Sequence, residues 1–89
     1  MNDLPPIVWR TIVRMSLDEP TRSGLESLLR WVFGLAPTMA AAGLGNARYF
    51  LNVLDGLPLS ASEEPERRRV RALVLSRVFG EEEPARSAG

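Results

Sequence analysis

The chain predicts an all-α fold: a compact antiparallel bundle of five short helices, or six if "LPLSASE" adds a turn. Three observations carry that expectation. Apolar residues recur at helical spacing in several separate segments. Ser, Asp and Pro stand where those segments begin, and Gly where they stop. Hydrophobic residues make up 45% of 89 residues, enough for one core and too short a chain for two.

The first helix is expected over Pro5 to Met15, with Pro5 and Pro6 in a first turn that has no use for their missing N–H. Val8, Trp9, Ile12, Val13 and Met15 share its broad apolar face, and Arg10 and Arg14 lie opposite. "SLDEPTRS" breaks the period through Asp18, Pro20 and Ser23. The second helix starts at "SGLE", where Ser23 and Glu26 have capping-box spacing. Leu25, Leu28, Leu29, Val32 and Phe33 form its buried stripe, Glu26 and Arg30 an i,i+4 pair on the wet side, and Trp31 the stripe's edge. Gly34 and Pro37 end it.

A short helix follows over Thr38 to Ala42, then "GLGN", where Asn46 caps a fourth helix that runs to Asp55 and stops at Gly56. Its apolar residues are Tyr49, Phe50, Leu51, Val53 and Leu54. Ser60 or Ser62 caps the last helix, with Glu63, Glu64 and Glu66 facing the positive end of its dipole and Pro65 in its first turn. Val70, Leu73, Val74, Leu75, Val78 and Phe79 cover most of its circumference, so this helix is either central in the bundle or covered by another molecule. Gly80 stops it. Residues 1–80 are read as the bundle, and 81–89, "EEEPARSAG", as a polar tail or interdomain linker.

Composition narrows function by exclusion. The chain has no Cys and no His, which removes thiolate metal sites, the usual general base and the near-neutral pH switch. All eleven basic residues are Arg, a usage that fits a GC-rich bacterial or phage genome. The carboxylates are scattered, and none pairs across an apolar cleft. No enzyme, metal or cofactor is expected. Asp3 precedes any apolar run, so the start is no signal peptide, and glycines, Pro37 and polar residues interrupt the most apolar span, which cannot cross a bilayer. A cytoplasmic domain without membrane contact is expected.

The order "AA-x-x-LG-x-x-R-x-x-L", from Ala40 and Ala41 through Leu44, Gly45 and Arg48 to Leu51, resembles the helix-turn-helix of Fis-type bacterial regulators. The resemblance covers that stretch alone. It implies a tight turn at Gly45, a second helix held down by Leu51 and Leu54, and Arg48, Tyr49 and Asn52 facing the major groove. Against it, Asn46 stands where such motifs place an aliphatic residue, and the second helix ends in Asp55 with a single positive charge. The chain is also neutral overall, whereas phosphate contacts supply much of DNA affinity. DNA binding through residues 38–56 is therefore the alternative.

Protein–protein interaction ranks first, as an adaptor, recruitment or regulatory domain whose partner is another protein or a second copy. Arg67, Arg68, Arg69 and Arg71 of "ERRRVR", and Trp31, are the candidate contact residues. Death-fold adaptors offer an analogy by helix count only. A phage or secretion-type assembly factor belongs to the same class.

Overall fold

The computed structural model describes residues 3–39 and 43–80. Within them lie four α-helices: α1 (Pro6–Arg14), α2 (Glu19–Val32), α3 (Leu44–Asp55) and α4 (Glu64–Val78). A 3-10 turn, Ala61–Glu63, leads into α4. No strand occurs among the described residues. The short helix expected over Thr38 to Ala42 does not include Thr38 or Met39, and its remaining residues lie outside the described ones. So does the tail expected over 81–89.

Helix α1 has Pro5 as its cap and ends at Arg14, with the Met15 N–H returning to the Ile12 carbonyl. Val8, Ile12 and Met15 of the expected face are buried and Trp9 is half-buried, but Ile7 and Thr11 take the inward place that the apolar spacing gives to Val13. Val13 points outward, 75% exposed. Thr11 takes an inward place because its hydroxyl donates to the Ile7 carbonyl at 2.8 Å, leaving only its methyl to pack.

Helix α2 starts one turn earlier than its capping-box spacing indicates. Asp18 is the cap, accepting from the Thr21 N–H at 3.1 Å, and Pro20 sits in the first turn rather than in a connecting loop. Hydrogen bonds from Thr21, its side chain first, hold the Asp18 carboxyl below its ordinary pKa. Ser23 and Glu26 are then interior helical residues. Arg30 does not pair with Glu26; it reaches Asp3 at 3.2 Å instead. Gly34 follows α2 with φ +77° and Gly80 follows α4 with φ +69°, the left-handed stop that a side chain would strain.

Helix α3 begins at Leu44, with Gly43 at its cap, so Gly45 and Asn46 are first-turn residues and Asn46 caps nothing. The glycine the packing needs is Gly43. A Cβ there would stand 2.7 Å from the Gly24 carbonyl oxygen and 2.8 Å from Leu28 Cβ, so α3 starts in close contact with α2.

At the entry to α4 the Glu63 carboxylate accepts from the Ser60 N–H at 3.0 Å, and Pro65 lies in the first turn, as the sequence indicates. That bond, with a second from Arg10, keeps the Glu63 carboxyl below its ordinary pKa. Helix α4 packs against α1, α2 and α3. Only Val70 and Val74 are fully buried on it; Leu73, Leu75, Val78 and Phe79 are half-buried flanks. The core they complete is Val8, Ile12, Leu25, Leu28, Leu29, Val32, Phe50 and Leu54.

Candidate interaction surface

The arginines of α4 part ways according to where one helical turn places them. Arg67 lies along the junction with α3, its side chain only 14% exposed. Its Nη1 donates to the carbonyls of Leu54 (3.0 Å), Asp55 (3.1 Å) and Leu57 (2.8 Å), and its other nitrogens pair with Glu64. Leu54 and Asp55 lie in the last turn of α3 and Leu57 just beyond it. One guanidinium donates to all three carbonyls, of which Leu54 also accepts from the Leu57 N–H at 3.2 Å, and opposes the negative end of the helix dipole. Arg71 reaches Asp55 at 3.3 Å across the same junction. Arg69 is outward, 69% exposed at its side chain, with a loose 3.8 Å approach to Glu66. Arg68 is exposed and makes no ion pair with a described residue.

At the other end of the α3–α4 pair, arginine lies on aromatic rings. Arg48, near the start of α3, stands 4.4 Å from the Phe79 ring centroid just past the end of α4. Arg77 stands 4.9 Å from the ring of Trp31, which is half-buried at the edge of the α2 stripe. Neither arginine has an ion pair with a described residue. A stacked guanidinium keeps its in-plane N–H groups turned outward, ready for a carboxylate. Trp, Phe and Arg are also the residues that concentrate binding energy at interfaces.

No family model, no curated protein and no solved structure matches the chain. The chemistry must therefore be read from the surface itself. Among the described residues no group of acidic side chains could hold a metal ion. No helix there is long and apolar enough to cross a membrane.

The three residues of the DNA reading are dispersed in their roles. Arg48 is the residue stacked on Phe79. The Tyr49 hydroxyl accepts from the Ser16 N–H at 3.1 Å, tying α3 to the α1–α2 corner. Asn52 is exposed.

Two features escape a reading by local spacing. The Arg48–Phe79 and Arg77–Trp31 stacks join residues remote in sequence, so only helix packing brings them together. On α1, Trp9, Arg10, Val13 and Arg14 line a shallow open depression of about 340 Å³. Arg30 lies 5.6 Å from the Trp9 ring, and Arg10 pairs with Glu63 at 2.8 Å. The signal for this stripe was the strongly apolar Val13 between Arg10 and Arg14, which reads equally well as core.

Proposed function

We propose that this is a non-catalytic protein-interaction domain, an adaptor or recruitment module that engages carboxylate-bearing surfaces of another protein or of its own kind. The observation that carries the reading is the surplus of outward arginine. Arg48, Arg68 and Arg77 lack an ionic partner among the described residues, and two of them lie on aromatic rings. Residues 3–39 and 43–80 hold ten arginines against eight carboxylates. Arginine suits such contacts because its planar fork binds carboxylates in a directed, bidentate way.

On this reading residues 1–80 act as one antiparallel bundle, related to death-fold adaptors by analogy alone, in the cytoplasm of a bacterial or phage-infected cell. Exposed ion pairs contribute only about 0–1 kcal/mol each, so the isolated domain associates weakly and assembles when several copies are held together. The test is charge reversal at Arg68 and Arg69. Arg68→Glu/Arg69→Glu should weaken assembly, read by light scattering, while helicity and melting temperature stay nearly unchanged. Undiminished assembly would remove the electrostatic mechanism. Loss of folding would show the two arginines to be structural.

A further inference from the structure

We infer that the α1 stripe of Trp9, Arg10, Val13 and Arg14 is the centre of a two-fold contact between two copies of this chain. The inference rests on the reading above that the domain associates with its own kind.

Val13 is the starting point. Among the described residues it is the most exposed large hydrophobic, at 75%, although its neighbour Ile12 is buried in the core. Trp9 lies one turn away on the same side of α1, and the two form the apolar floor of the open depression. Arg10 and Arg14 border it. Arg14 makes no ion pair with a described residue. A single exposed valine is ordinary; one set beside a tryptophan and rimmed by arginine has the anatomy of a small interface centre.

The occupant follows from charge. Immediately after α1 the chain turns through Asp18 into Glu19, the first residue of α2. Glu19 is exposed and unpaired among the described residues, and Asp18 is exposed beside it. Arg14 at the end of one helix and Glu19 at the start of the next offer a second copy both halves of an ion pair under a two-fold axis. Each copy then offers Arg14 to the other's Glu19, and the contact is made twice. The two Val13 side chains meet near the axis. Glu63, which receives Arg10, leads into α4, so the stripe adjoins the arginines of that helix.

Four residues and a corner cover far less than the roughly 1,200 Å² of a stable interface, so the dissociation constant should be on the order of 1 mM. Such a contact serves copies already held close.

The test is sedimentation equilibrium of the full chain up to about 1 mM, with the Trp9 indole resonance followed over the same dilution series. Val13→Glu, at an exposed position that folding does not need, should weaken association roughly tenfold or more without changing helicity. Arg14→Glu and Glu19→Arg should each do the same, because like charges then face each other twice. Mixed one to one, Arg14→Glu and Glu19→Arg should recover association to within about twofold of the unmodified chain, since every pair across the axis of the mixed dimer is again opposite in sign. A purely structural role would not produce that rescue. Association unchanged in Val13→Glu, or no rescue in the mixture, overturns the inference. If Arg68→Glu/Arg69→Glu abolishes association while Val13→Glu leaves it intact, the proposed function stands and this site falls. A chain monomeric throughout the series overturns both this contact and the self-associating form of the function.

Discussion

The two ends of the α3–α4 pair use the same side chain for opposite purposes. At the C-terminal end of α3, Arg67 is drawn inward and spends its donors on three backbone carbonyls and Glu64. At the N-terminal end, Arg48 and Arg77 rest on Phe79 and Trp31 with no ionic partner among the described residues. Identical chemistry is structural where the carbonyls at and just beyond the end of α3 collect it, and available where only aromatic faces hold it. The difference lies in what α3 leaves unpaired at each end, not in the arginines.

The largest expected effect is in the packing of α4 that holds both ends of this pair in place. Val74→Asp would bury an uncompensated charge and should cost about 3–5 kcal/mol, enough to unfold a domain of this size in a thermal melt followed by circular dichroism. Leu73→Ala, one residue away but on the half-buried flank, should cost much less than the ~2–5 kcal/mol of a fully buried leucine. Equal losses at the two positions would mean that α4 is covered on more sides than its packing indicates.

Next in size is Gly43→Ala, where the new Cβ meets the Gly24 carbonyl and Leu28 Cβ. The α2–α3 crossing must open, at about 1–3 kcal/mol, seen as a lower denaturant midpoint. Gly45→Ala is its control: nothing lies within 4 Å of that position, so no loss is expected. Of the arginines, Arg67→Met should cost about 1–3 kcal/mol by removing the donor shared by the Leu54, Asp55 and Leu57 carbonyls, and Arg77→Met about 0.5–1 kcal/mol.

The smallest effect is on pH dependence. Asp18 and Glu63 have folded pKa values below their ordinary ones, so the stability they supply is present above the ordinary carboxyl range. It is lost as pH falls through the lowered values. Asp18→Asn should flatten that acid limb in a pH titration of helicity; an unchanged limb would assign it to other carboxyls.

Much of the fold was legible because it is written in local spacing. The stripes of α2 and α3, the stop at Gly34 and the Ser60 entry to α4 all involve residues within a turn or two of each other. Where several signals compete, spacing alone chose poorly. Ser23 and Glu26 form a valid capping pattern, yet Asp18 with Pro20 starts the helix a turn earlier and buries the same leucines. Gly45 looked like the turn glycine, but the close approach to α2 falls at Gly43. Val13 was indistinguishable from core because an amphipathic helix of nine residues tolerates more than one inward line. The candidate surface was legible only as composition. That Arg67 turns inward while Arg68 does not depends on where the end of α3 lies, which no local pattern in "ERRRVR" records.

One paired measurement addresses the division of the arginines most directly. Arg67→Met and Arg68→Glu/Arg69→Glu are compared for melting temperature and for self-association in the same samples. Arg67→Met should lower the melting temperature by several degrees, with association altered only as far as folding is. The double variant should do the reverse, with an unmoved melting temperature and weakened association. If both variants melt alike and associate alike, the arginines of α4 are one solvated face, and the division between structural and interacting roles is wrong.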